Sequence, residues 1–311
     1  MSSTYTISRF DEVDQQPSDT PSEIRFSQKH DLVGVSSWDS SMYFYTASAP
    51  YKLRSKIETT APLLTTAFMD DVCLAGDTFG NLFIIDLNTG TKNTLKLHES
   101  GLRHIRIFNN NLFITGSWDK TIKVFDLKSG QSVHQINLEE RLYTLDCHSE
   151  YIAYTTAGNN IYKFDLQTQS KVQLQSKMNY QIKCLAAVDH ESFMVGSIES
   201  KCELINFNFP DKGYAFRTHK TTTELHSVNA ICVNPKNREI IVTGGGDGNI
   251  YYYNKSTRQR ILTANMYTPI TCMAFNQDGT VLGAGIGYDW SKGYQVSETK
   301  PNVKFIKKDD I

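Results

Sequence analysis

Apolar and polar positions alternate along most of this chain in short runs, separated by clusters of Gly, Ser, Asn and Asp. The stretch NLFITGSWDKTIKVFDLKSG, residues 111–130, shows the pattern. Leu112, Phe113 and Ile114 lead into Gly116-Ser117-Trp118-Asp119. Thr121 to Leu127 then alternates again until Ser129-Gly130. A period of two between turn residues predicts antiparallel strands joined by tight turns. Trp118 does not fit the turn: tryptophan neither favours turn dihedrals nor bonds its own backbone as Asn, Asp and Ser do. Its presence needs a separate cause.

The same pattern recurs. An acidic or amide residue follows a small-residue turn at Asp39, Asp77, Asp119, Asn159, Glu199 and Asp247. The gaps are 38, 42, 40, 40 and 48 residues, close to the roughly 40–45 residues of a four-stranded propeller blade. Residues 102–138 supply four strands as LRHIRIFN, LFITGS, TIKVFDL and SVHQINL, and the next unit supplies LYTLDCHS, YIAYTT, NIYKFDL and KVQLQS. No comparable stretch keeps a helical period. A seventh unit has only three strands: PITCMAFN, TVLGAGIG and NVKFIKK. TYTISRF, residues 4–10, is a strand left over at the other end. The expected fold is all-β, a single seven-bladed propeller over residues 1–311. Residues 4–10 complete its last blade, and DEVDQQPSDT is a solvated connector. Closure removes the open sheet edge that invites aggregation.

Composition narrows the function. The net charge of −1 lacks the basic footprint of a general nucleic-acid binder. No apolar run approaches the roughly 18 residues of a membrane helix, and MSSTYTISRFDEVDQQPSDTP has no apolar signal core, so an intracellular chain is expected. Cys73, Cys147, Cys184, Cys202, Cys232 and Cys272 form no C-x-x-C pair. They read as reduced thiols, mostly in apolar stretches, rather than metal ligands. The histidines are scattered without a Ser-His-Asp or metal spacing. GGGDG, residues 244–248, lacks the Lys-Ser/Thr and helix of a phosphate loop and repeats the blade turn instead. No catalytic residue, cofactor or metal is expected.

The repeat GSWDKTIKVFDL resembles the WD-repeat class, with the usual Trp replaced in Phe125-Asp126, Phe164-Asp165 and Ile85-Asp86. The usual His is clear once, at His98. In combination, SSWDSS, TGSWDKTIKVFD, NYQIKCLA, GSIESKCE, YAFRTHK, SVNAI and TGGGDGNI are similar to the Bub/Rae/Gle family. One branch is the spindle-checkpoint partner of the Bub kinases; the other is the mRNA-export factor that binds a nuclear-pore protein. LYTLD, TAGNN and SSWDSSMYFY look like the checkpoint branch, which is preferred, and GYDWSKG looks like the export branch. A generic propeller scaffold is a further alternative.

The resemblance implies a nuclear, kinetochore-associated and also cytoplasmic adaptor. It implies no membrane or direct nucleic-acid partner. Both branches bind a hairpin peptide, the GLEBS motif, on the propeller's top face, where second-to-third-strand turns open. Trp38 and Trp118 occupy such turns, and tryptophan is enriched at binding hot spots; the plain alternative is packing over a neighbouring blade. Lys201 stands where both branches carry an arginine facing the hairpin's acidic residues; lysine keeps the charge without the planar fork. The checkpoint branch also reads a phosphorylated kinetochore repeat, MELT. Arg217 and Lys236 are expected to clamp that phosphate as neighbours, the alternative being an ordinary charged edge.

Overall fold

The computed structural model describes residues 5–148, 151–294 and 299–307. Seven antiparallel sheets follow one another, over residues 21–58, 63–96, 102–137, 142–174, 182–217, 228–265 and 270–307. The strands fall where the alternation places them: blade three is Leu102–Ile107, Leu112–Ser117, Thr121–Asp126 and Gln131–Asn137. The first strand of each blade contacts the first strand of the next, and Ile270–Phe275 of blade seven meets Pro21–Phe26 of blade one. The ring is therefore closed around a shaft lined by the first strands. Apolar clusters lie between successive blades, for example Ile114, Val124, Leu145 and Tyr154 between blades three and four. This wedge packing makes each sheet bury both faces while its outer strand stays wet: Lys92–Lys96 is exposed throughout.

Closure differs from the expectation. Asp11–Glu12, placed in the connector by sequence, forms the fourth strand of blade seven, with Asp11 opposite Phe305 and Glu12 opposite Lys304. Tyr5–Ile7 instead runs parallel to Arg260–Asn265, as a fifth strand on blade six. Residue 4 lies outside the described residues. The chemistry explains the division. Ile7 is buried among Leu262, Ala264 and Ile306, whereas Glu12 pairs with Lys304 at 3.0 Å and Asp11 with Lys307. The acidic pair fits the basic strand Asn302–Lys307, NVKFIK, and the apolar residue fits the groove beside blade six. Removing residues 1–10 should therefore lower the melting temperature moderately, and removing 1–13 much more, because only the second deletion opens blade seven. Equal melting of the two truncated chains, measured by circular dichroism, would contradict this closure.

An ionic chain runs around the shaft. Glu23 in blade one accepts hydrogen bonds from Arg25, from the Thr65 hydroxyl and Thr66 N–H of blade two, and from Arg106 Nη1 of blade three at 2.9 Å. Arg106 Nε donates to Asp146 of blade four at 2.9 Å, and Asp146 accepts from the Ala187 N–H of blade five at 2.8 Å. Five blades are thus linked by groups whose charges would be costly to bury unpaired.

His104 sits against this chain. Its Nδ1 faces Arg106 Nη2, and its Nε2 faces the Tyr143 carbonyl, each at 3.4 Å. A guanidinium can only donate, so Nδ1 must accept and Nε2 carry the proton. Burial, then Arg103 and Arg106, push its pKa well below the ordinary 6.5. The folded state thus binds fewer protons than the unfolded chain. Stability is full above about pH 6.5 and falls as pH drops below it, by about 1 kcal/mol per unit. Urea unfolding between pH 7 and 5 should show this slope, and His104→Gln should flatten it.

A tryptophan-lined mouth on the top face

Second-to-third-strand turns and blade-to-blade links open on one face, and first-to-second-strand turns on the other. The turn containing Trp118 follows one rule in all seven blades. The residue after the second strand donates its backbone N–H to the carbonyl just ahead of, or at the start of, the first strand. Trp38 bonds Thr20 and Trp118 bonds Gly101, both at 3.0 Å; Ile198 bonds Gln181 at 3.1 Å and Gly246 bonds Ser227 at 2.9 Å. Backbone geometry is thereby fixed whatever the side chain, so this position is free to carry an aromatic on the surface. That is why a tryptophan is tolerated in the turn.

The structure brings Trp38 and Trp118 together as expected. They line one cavity of about 190 Å³ with Arg103, Lys183, Asp289 and a third tryptophan, Trp290. Trp118 also borders Arg141 and Tyr143. Its ring lies on Gly101, where an added Cβ would stand 2.4 Å from the indole. Packing and exposure coexist here: one indole face rests on glycine backbone and the remainder lines the mouth. Burial lowers the pKa of Lys183, against the attraction of Asp289. Asp289 is held below the usual carboxylate range: burial opposes this, but Asn229, Ser291 and Lys183 outweigh it.

Lys201 and Arg217 lie farther out on the top of blade five, directly opposite each other in register. Lys201 Nζ donates to the Lys177 carbonyl, and Arg217 Nη1 to the Glu199 carbonyl at 3.3 Å. Lys236 does not join them. It lies in the first-to-second-strand turn of blade six, between Val228–Val233 and Ile240–Gly245. Val228, not Val233, pairs with the top-face residue Gly245, so Lys236 is at the bottom. The expected Arg217–Lys236 clamp is therefore split between opposite faces, a six-residue strand or roughly 20 Å apart. The spacing in sequence hid the direction of the intervening strand.

Sequence reasoning also missed Trp290, Arg103 and Lys183. Trp290 was visible in GYDWSKG, but its longer connection broke the turn pattern. Arg103 and Lys183 look like ordinary polar positions of alternating strands; only the ring places them at the mouth.

Two turns carry a further signature. His98 Nδ1 meets Asp119 at 2.9 Å, and its Nε2 meets Thr115 at 2.9 Å. His219 repeats this with Asp247 at 2.8 Å and Thr243 at 2.9 Å. The histidine of this pattern is thus present twice, not once; the longer link 220–227 before the next strand concealed His219. Burial opposes ionisation of Asp119 and Asp247, but the histidine hydrogen bonds outweigh it and lower both pKa values.

The WD domain, G-beta repeat family matches residues 90–126 and 216–254, the two segments that contain these histidine networks. The chain is 29% identical over 310 residues to the Poly(A)+ RNA export protein of Schizosaccharomyces pombe, covering 94% of this chain and 88% of that one. It is 29% identical to the mRNA export factor GLE2 of Chaetomium thermophilum, covering 91% and 85%. It is 27% identical to the mitotic checkpoint protein bub3 of Dictyostelium discoideum, covering 94% and 92%. This is a WD40-repeat propeller related to the Bub3 and Gle2/Rae1 proteins. The WD40 fold itself superposes on the structure titled U3-55K with a TM-score of 0.82 at 13% identity, over 96% and 98% of the two chains.

Proposed function

We propose that this WD40 propeller is a non-catalytic nuclear adaptor that binds a GLEBS-type hairpin peptide across its top face, in the manner of an mRNA-export factor. One observation carries the binding face. Apart from residues on fourth strands, Tyr5 on the added fifth strand and Phe209 in a bottom turn, the exposed large hydrophobics among the described residues sit on the top face. They include Trp38, Phe79 and Ile198 in turns, Tyr180 and Tyr267 in links, and Trp290. An apolar rim around a cationic mouth suits a peptide with aromatic or aliphatic anchors and acidic neighbours.

The export reading draws support from the relatives named as export factors and loses nothing from the separation of Arg217 and Lys236. A checkpoint role is the second reading, favoured by relatives such as BUB3.1 of Arabidopsis thaliana, which spans 98% of this chain. Phosphate reading by Lys236 forms no part of either. Titration of the full chain with a nuclear-pore hairpin and a checkpoint-kinase hairpin tests the choice. Tighter binding of the nuclear-pore peptide is expected; clear preference for the kinase peptide would reverse it, and no binding of either would remove the adaptor reading.

A further inference from the structure

The bottom mouth of the shaft has a different chemistry. A cavity of about 390 Å³ opens there, lined by Arg25, Arg106, Asp146, His148 and Arg238 among others. Its carboxylates are already engaged. Glu23, just behind the lining, accepts through Oε1 from Arg25 and Arg106 and through Oε2 from Thr65 and Thr66. Asp146 accepts from Arg106 with one oxygen and from Ala187 with the other. Arg106 is also engaged on every nitrogen, by Asp146, Glu23, the Ile105 carbonyl and His104.

The other two guanidinium groups are not. Among the described residues, Arg25 donates only through Nη2, to Glu23, and Arg238 only through Nη1, to the Val188 carbonyl at 2.7 Å. Each keeps two donor nitrogens without a protein acceptor. Among the described residues three arginines face two carboxylates at the mouth, an excess of positive charge and of donors. Its unmet capacity is for an acceptor with negative charge. Arginine's planar fork suits phosphate oxygens in particular. The pKa directions agree. Burial, then Arg106, lower that of Arg25 against the pull of Glu23 and Asp146, whereas the same two carboxylates raise that of Arg106 against burial.

We infer that the bottom mouth of the shaft is an oxyanion site in which Arg25 from blade one and Arg238 from blade six hold a phosphate group. The site is separate from the tryptophan mouth and independent of the identity of the hairpin partner. A phosphate group reaches it either as the free ion or as a small monoester.

Calorimetry and thermal melting of the full chain test it, at fixed ionic strength in a phosphate-free buffer. The probes are inorganic phosphate and glycerol 2-phosphate, with acetate and chloride as controls. Saturable binding and a raised melting temperature are expected with phosphate and not with the controls. Comparable binding of glycerol 2-phosphate would identify a monoester site, and its exclusion a free-ion site. Arg25→Gln and Arg238→Gln should each weaken phosphate binding about tenfold or more, the effect of losing a hydrogen bond to a charged group. Trp118→Ala should not change it. Among the described residues Arg238 donates a hydrogen bond only to the Val188 carbonyl, so its variant reports on binding even if Arg25→Gln destabilises the ring. Equal response to phosphate and chloride, or undiminished phosphate binding in Arg238→Gln, would overturn the site.

Discussion

Glu23→Ala is expected to lower the unfolding free energy by about 3–5 kcal/mol, the typical result of removing one partner from a buried ion pair. Glu23 is only 7% exposed. It receives Arg25, Arg106, Thr65 and Thr66 together, so its loss leaves Arg106 with Asp146 as its one carboxylate partner and Arg25 with no hydrogen-bond acceptor among the described residues. Burial would raise the carboxyl's pKa, but Arg106, Arg25 and Thr65 outweigh it and hold the pKa below the ordinary 4.5. The carboxylate's contribution is therefore present above about pH 4.5 and lost as pH falls through the folded value. Urea unfolding at pH 7 measures the effect. A loss under about 1 kcal/mol would mean that the ring is held by its apolar wedges alone.

Trp118→Ala should weaken hairpin-peptide binding at least about thirtyfold, or some 2 kcal/mol, as expected for a hot-spot aromatic. Because the indole rests on Gly101, Gly101→Val gives an independent test: the added side chain must displace the ring while leaving tryptophan in place. Both variants should lose affinity, and Lys236→Ala on the opposite face should not. Normal binding by Gly101→Val would show that the ring's resting position is immaterial to the peptide.

The blades were legible because strand alternation and turn residues are local signals, and the units 102–137 and 142–174 appear where TIKVFDL and NIYKFDL stand. Trp38 and Trp118 were legible because the turn rule repeats. What failed was non-local. Whether Tyr5–Ile7 or Asp11–Glu12 completes blade seven depends on partners near Lys304, almost the whole chain away. Arg217 and Lys236 are close in sequence, yet the strand between them carries the second to the other face. Arg103 shares a blade with Trp118, but Lys183 comes from blade five, and only the packing of successive blades brings it to the same mouth.

The pairing of Asp11–Glu12 with Lys304 and Phe305 has a consequence during synthesis. Asp11 and Glu12 leave the ribosome early, yet they have no strand to join until residues beyond 300 have emerged. Six blades can assemble in order while these two residues wait. Tyr5–Ile7 finds its place on blade six about 260 residues later, before the last blade exists. Anchoring there would hold Asp11 and Glu12 next to the position blade seven will take, shortening the final search from the whole chain to a few residues. The parallel strand on blade six is then a holding clasp for a ring that is fastened last.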